Sequence, residues 1–284
     1  EESEAEKLAK ELTKQLKQGI IPKPDEELID RMIAGLANKK GPFRRIFSRT
    51  LSNMGQPAIP SLIHALHNHS NVSVRRAAAK TLRLIKNPTT LPDLLIALTN
   101  DTDPVVQGSS AAAMAVFGEE AIHLLLKVVV DPKSNPMQAG LAAWGISFIG
   151  EKAPNVIRKA ACSENNQIRA TAIAAIGDQI YSLEDEEARN ILINALNDYS
   201  AEVRSEATIL IGNLQEQEWS QDLLIDKLTD SSEKVRMNSA LALMKLGSNK
   251  SIKYMKALLK KENSSRVLKI LNLAILKIEQ RNKI

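Results

Sequence analysis

The sequence predicts an all-α protein, an α-solenoid (superhelix) of about eight short helix-pair repeats, and three observations predict it. One helical sentence recurs along the chain. It is clearest at Val74-Arg75-Arg76-Ala77-Ala78-Ala79-Lys80-Thr81-Leu82-Arg83-Leu84-Ile85-Lys86 and returns at Phe43-Arg44, Val106-Gln107, Ile168-Arg169, Val203-Arg204 and Val235-Arg236. The second residues of these copies are spaced by 31, 32, 62, 35 and 32, and the double step holds one more copy from Gln138 to Gly150. Small residues, often Ala-Ala, fall in mid-helix, where they allow neighbouring helices to approach closely. Aromatics make up only 3% of the chain against 44% hydrophobic residues, so the core is built from Ala, Leu, Ile and Val. A single two-helix unit cannot bury its own apolar face, and stacking on neighbours is the solution such a repeat implies.

The elements follow in order. Leu8, Leu12 and Leu16 recur at four-residue spacing and give residues 1–18 one apolar stripe, that of an N-terminal helix. Gly19-Ile20-Ile21-Pro22-Lys23-Pro24 ends it, because each proline disfavours helix at the residue before it. Asp25 is a fitting N-cap for Glu26 to Ala37, the first outer helix. Later outer helices are expected over Ala58–Leu66, Thr90–Leu98, Ala121–Val129, Pro154–Ala161, Glu186–Leu196, Trp219–Leu228 and Ile252–Leu259. Each leads through a turn rich in Asn, Asp and Ser, whose side chains can cap the next, inner helix. The stretch from Gly177 to Glu186 is the most irregular connection. The last inner helix runs from about Ser265 to Ile278, and Gln280-Arg281-Asn282-Lys283 forms a polar end. Residues 1–24 thus form an N-terminal helix and Pro-rich turn, and residues 25–284 one continuous repeat domain.

Composition narrows the function classes. Lys and Arg number 38 against 33 Asp and Glu, a net charge of +5 that hints at an anionic partner. The single cysteine, Cys162, rules out an internal disulfide and fits a reducing compartment. No apolar run approaches a membrane span, and the acidic start Glu1-Glu2-Ser3-Glu4 is unlike a secretory signal, which points to a cytoplasmic protein without membrane association.

The repeat Val-Arg-x-x-Ala-Ala-x-x-Leu-x-x-Ile-Gly, preceded by Asp/Asn turns, resembles the short HEAT-like repeat named after phycobilisome lyases. Two stretches carry the resemblance further: Val74 to Leu82 followed by Val105-Val106-Gln107-Gly108-Ser109, and Gln138-Ala139-Gly140-Leu141-Ala142-Ala143-Trp144-Gly145. With the length, they look like the E/F-type bilin lyases of cyanobacteria and related algae. The resemblance implies an enzyme that attaches an open-chain tetrapyrrole, phycoerythrobilin or phycocyanobilin, to a cysteine of a phycobiliprotein alpha or beta subunit, in some members with isomerisation. It implies the bilin as substrate rather than as a tightly bound cofactor, and a second lyase subunit as a further partner. The family also contains chaperone-like and bilin-detaching members, so a non-enzymatic adaptor is the competing reading.

In a superhelix of helix pairs the inner helices line a concave groove. Helical spacing turns into it the two residues after the repeat Arg, the one after Ala-Ala, and one a turn later. Read out in chain order, these positions give Arg45, Arg49, Asn53, Arg76 and Lys80, then the tiny Gly108, Ser109 and Ala112, then Trp144. Thr171, Asp178, Ser205, Glu206, Asn213, Asn238 and Lys245 follow. A basic rim, a small-residue floor and one large aromatic suit a tetrapyrrole with two propionates. Arg45, Arg49, Arg76 and Lys80 are the expected anchors for carboxylates, Ser109 lies on the floor, and Trp144 is expected against the ring plane. The alternatives are solvated groove cations and a Trp144 packed in the core.

Thiol addition to a bilin needs proton transfer. Asp178, with Tyr181 nearby, is the candidate catalytic pair, because a partly buried carboxylate can bond pyrrole N–H groups and exchange a proton. The competing reading makes Asp178 a turn residue after Gly177. Cys162 reads as structural. His64, His67 and His69 cluster at one helix end without a Cys nearby, so no metal site is expected. Nucleic acid is an unsuited partner: the charge is slight, and nine aromatics, by type Trp 2, Tyr 3 and Phe 4, leave few stacking platforms. No phosphate loop, nucleophile elbow or zinc-protease helix is present.

Overall fold

A computed structural model describes residues 3–281, with Ser182, Leu183, Gln217 and Glu218 described in backbone only. Asn282 and Lys283 of the expected polar end, and Glu1-Glu2 of the acidic start, lie outside the described residues. Every regular element among the described residues is helical, as the periodicity requires. The helices fall into two compact units, residues 1–149 and 150–284.

The first unit holds α1 (Glu4–Lys17), α2 (Glu26–Gly35), α3 (Gly41–Met54), α4 (Ile59–Asn68), α5 (Val72–Ile85), α6 (Leu91–Asn100), α7 (Pro104–Met114), α8 (Glu119–Val130) and α9 (Pro136–Ile149). The even-numbered helices from α2 to α8 are the outer layer, and α3, α5, α7 and α9 pack side by side as the inner layer. Asp25 caps α2 by accepting from the Leu28 N–H, as its position suggested. Asn71 and Asp103 cap α5 and α7 in the same way. Phe47, Leu51, Leu62, Leu82, Leu94 and Leu98 are buried completely between the layers. Full burial of each such side chain stabilises by about 1.5–3 kcal/mol. Ala78 and Ala79 are likewise fully buried, which is the close approach their size permits.

The second unit continues the grammar with outer α10 (Pro154–Ala161) and inner α11 (Asn166–Ala175), then an extra helix α12 (Gly177–Leu183). Outer α13 (Glu186–Ala195), α15 (Gln217–Lys227) and α17 (Ile252–Leu259) alternate with inner α14 (Ala201–Leu214), α16 (Glu233–Leu246) and α18 (Ser265–Arg281). The presumed irregular connection from Gly177 is therefore mostly helical. Its helix ends where Glu184 takes a left-handed conformation at φ 50° and Asp185 caps α13 by accepting from the Ala188 N–H.

The repeat arginine, at the second position of the pattern, is neither a groove residue nor solvated. Arg75, Arg169, Arg204 and Arg236 each reach a carboxylate of the next repeat, respectively Asp101, Asp198, Asp230 and Glu262. Each also donates to two carbonyls of the turn before its own helix, as Arg204 does to Asp198 O at 2.9 Å and Tyr199 O at 3.3 Å. The carboxylates accept from turn N–H groups in return, Asp230 from Ser232 and Glu262 from Ser264, each at 2.8 Å. One guanidinium thus ties a turn to the next turn across every such pair of repeats.

Candidate functional site

Four inner helices of the first unit carry the expected binding residues at equivalent repeat positions. On α3 and α5 these are Arg45, Arg49, Arg76 and Lys80; Arg76 is half-buried and the other three are exposed. Arg45, Arg76 and Lys80 meet in one groove of about 410 Å³, together with Arg44, Ser48 and Ser73. Arg49 projects from the same face of α3 one turn beyond Arg45, by the four-residue spacing of a helix.

The cations of this groove are not equivalent. Arg44 is occupied by its own turn, donating to Asn38 O at 2.6 Å and Lys39 O at 3.1 Å. Arg76 makes a two-pronged pair with Asp103, both bonds at 3.1 Å, while Asp103 caps α7. Desolvation works against the Asp103 charge, but the Val106 N–H and Arg76 outweigh it and hold that carboxyl below its ordinary range. Arg76 therefore differs from the free anchor that its groove position suggested. Arg45, Arg49 and Lys80 have no carboxylate partner among the described residues.

Beyond the basic rows the layer becomes small and then aromatic. On α7 the equivalent positions are Gly108 and Ala112, with Ser109 beside them; the Ser109 hydroxyl donates to Val105 O at 2.7 Å and is half-buried. A Cβ on Gly108 would lie 3.4 Å from the Leu141 side chain, so α7 and α9 pack closely here. On α9 the register runs back from Ile149 to Trp144, which is 44% exposed and not a core residue. Trp144 meets Phe148 edge-on, ring centroids 4.6 Å apart at 83°, and Phe148 is itself 56% exposed. The sequence reading singled out Trp144 but missed Phe148, although four-residue spacing places both on one face.

Asp178 and Tyr181 belong to the second unit, in the first and second turns of α12. Asp178 is exposed and Tyr181 is 76% exposed, which corrects the expectation of a partly buried carboxylate. The cause is the short helix itself, which buries Gln179 and Ile180 and turns their neighbours outward. The group with the character sought is Glu206 on α14, a groove position given no role from sequence. Burial pushes its carboxyl above the ordinary range, and nearby Lys234 offsets this only in part. Cys162 is exposed at the end of α10. Among the described residues no group of His, Cys, Asp and Glu is arranged to hold a metal ion, and His67 instead pairs with Asp93 at 3.1 Å. No helix among them is long and apolar enough to cross a membrane.

The family model for HEAT repeats matches residues 13–115 and 189–275, and the chain is a HEAT-repeat protein. A solved structure of Kap121p bound to Nup53p superposes with a TM-score of 0.50 at 13% identity over 90% of this chain and 38% of that one, a likeness of fold alone. The bilin biosynthesis protein MpeU of Synechococcus sp. (strain WH8020) is 40% identical over 266 residues, covering 94% of this chain and 90% of that protein. An uncharacterized phycocyanin operon protein Z of Pseudanabaena tenuis (strain PCC 7409) is 38% identical over 64 residues, 22% of this chain and 32% of that one. The chain belongs to the family of MpeU, the HEAT-like bilin lyase family that its repeat resembles.

Proposed function

We propose that the chain is a phycobilin lyase, which holds an open-chain tetrapyrrole on the inner layer of its first unit and attaches it to a cysteine of a phycobiliprotein subunit. The observation that carries this reading is the order of side chains across α3, α5, α7 and α9: unpartnered cations, then small residues, then an exposed Trp144–Phe148 pair. A bilin combines two carboxylates with a long conjugated plane. Arg45, Arg49 and Lys80 bind the carboxylates, the Gly108–Ala112 row lets the plane approach the backbone, and Trp144 packs against it. Arg76 shapes the groove through its pair with Asp103.

In the reaction the acceptor S–H adds across a carbon–carbon double bond of the tetrapyrrole. One C–S bond forms, the proton ends on carbon, and no oxidant is consumed. A positioned carboxyl assists by supplying and recovering that proton. Titrating purified protein with phycoerythrobilin or phycocyanobilin, and following bilin absorbance and the emission of the two tryptophans, Trp144 and Trp219, tests the binding half of this reading. Saturable binding supports it. Absence of binding to either bilin in the presence of an acceptor subunit contradicts it.

A further inference from the structure

Among the described residues the inner layer of the second unit ends on α18, which carries exposed leucines. Within that layer Gly212 of α14 lies so close to α16 that a Cβ there would stand 2.6 Å from the Ala242 Cβ. The residue one repeat later is Met244, half-buried on α16. The next equivalent is Leu276 on α18, and it is 52% exposed, with Leu273 beside it 40% exposed. The last described helix thus shows to solvent the position by which α14 accepts α16.

The stretch of sequence that carries this face is strongly cationic. From Lys245 to Arg281 the sequence carries ten Lys or Arg against two acidic residues, Glu262 and Glu279. Both acids are already engaged, Glu262 with Arg236 and Glu279 with Lys256, each at 2.7 Å. Between α16 and α18 a cleft of about 500 Å³ has Met244 and Leu273 as apolar walls and Lys245, Lys277 and Arg281 around them. Arg281 donates to Met244 O and Lys245 O, so it closes the end of α16 while its charge stays at the cleft.

We propose that the α18 face docks an amphipathic α-helix of a partner protein, with apolar residues against Leu273 and Leu276 and acidic residues on its flanks. A helix is the occupant because the equivalent ridge holds one in the preceding repeats, and two leucines one turn apart match the width of a single helix. Acidic flanks follow from the charge: a basic helix would meet like charges around the whole cleft. This surface lies outside the bilin groove and does not depend on that reading.

The test uses the whole protein and a dye-labelled synthetic helix of about five turns with leucines at three- and four-residue spacing and glutamates on the flanks. Its anisotropy on titration is compared with that of the same peptide carrying lysines, and with binding of vesicles rich in phosphatidylserine. The glutamate peptide is expected to bind, and Leu276→Glu and Lys277→Glu are each expected to weaken it about tenfold or more. Both side chains are exposed, so the helical circular dichroism and melting curve of these variants stay unchanged. Equal binding of the lysine peptide, an affinity untouched by Leu276→Glu, or vesicle binding lost in Leu276→Glu without peptide binding would overturn the proposal. So would self-association of the chain that occupies this face and is abolished by the same variant.

Discussion

Arg204 and Asp230 face each other across two repeats, with guanidinium Nε and Nη2 each 2.8 Å from a different carboxylate oxygen. Their side chains keep only 13% and 6% of their exposure, so the pair is largely withdrawn from water. The same relationship joins Arg75 to Asp101, Arg169 to Asp198 and Arg236 to Glu262. It lapses at α7 and α9, where Gln107 stands at the arginine position and Gln138 begins the inner helix. There Gln107 donates to Asp101 O at 2.7 Å and Gln138 to Thr99 O at 2.6 Å. Gln107 keeps the contact to the turn before its own helix, Gln138 instead reaches the end of α6, and neither makes the ion pair.

Removing one partner leaves a withdrawn charge uncompensated, and Asp230→Ala is expected to cost about 3 kcal/mol in urea unfolding at neutral pH. The pair also sets a pH dependence. Desolvation opposes ionisation of Asp198 and Asp230 but is outweighed by Arg169 and Arg204, and in Glu262 the bond from Arg236 leads. All three carboxyls are held below their ordinary range. Their stabilisation is present above the unfolded carboxylate pKa, about 4, and is lost as pH falls through the lower folded values. Unfolding curves from pH 7 to pH 2 should therefore show the Asp230→Ala deficit shrinking in acid.

Glu206 should behave with the opposite sign. Burial raises its folded pKa, so its ionised form opposes folding at pH 7 and ceases to do so below about pH 4. Glu206→Gln is expected to raise the melting temperature at neutral pH, with the gain vanishing in acid. A lower melting temperature at pH 7 would contradict this.

Much of this was legible in the sequence. Periodicity located the helix pairs because each inner helix must repeat the same buried positions, and Asp25 announced its cap because α2 starts beside it. Trp144 could be placed on the open face once the register was counted back from Ile149. The arginine ties were not foreseen, since a helical wheel shows where Arg204 points but not what the next repeat brings to meet it. The signal was nonetheless present: an acidic residue follows Arg75, Arg204 and Arg236 at the same offset of 26. The stretch from Gly177 to Glu186 reads as an irregular connection in sequence, whereas burial of Gln179 and Ile180 rewards a helical turn there. The exposure of Asp178 follows from that same turn.

Close approach between helices gives a steric expectation. A Cβ on Gly35 would lie 2.4 Å from the fully buried Phe47 ring, and one on Gly212 would meet both Cα and Cβ of Ala242 within 2.8 Å. Neither neighbour has free space to yield, so Gly35→Ala and Gly212→Ala are each expected to destabilise by about 2 kcal/mol, read from urea midpoints. A shift of less than about 0.5 kcal/mol at either site would contradict the packing described.

The cations of the bilin groove should divide by their partners. Arg45→Ala combined with Lys80→Ala removes two unpartnered charges and is expected to weaken bilin binding about tenfold, with little change in stability. Arg76→Ala breaks the tie to Asp103 and should lower stability as well as affinity. Trp144→Ala is expected to weaken binding about fivefold through loss of the aromatic platform. Titrations by absorbance, paired with melting curves of the same variants, separate the two classes.

The central claim is attachment, and co-expression with bilin synthesis and a phycobiliprotein alpha or beta subunit tests it most directly. Denaturing gels are read for bilin fluorescence on the subunit, with the wild-type chain, the Arg45→Ala/Lys80→Ala variant and no added chain compared. A fluorescent adduct that survives denaturation, depends on this protein and fades in the double variant is the expected result. Tight association with the subunit but no covalent adduct, with any bilin and acceptor tried, would contradict the lyase reading and leave a chaperone of the same family.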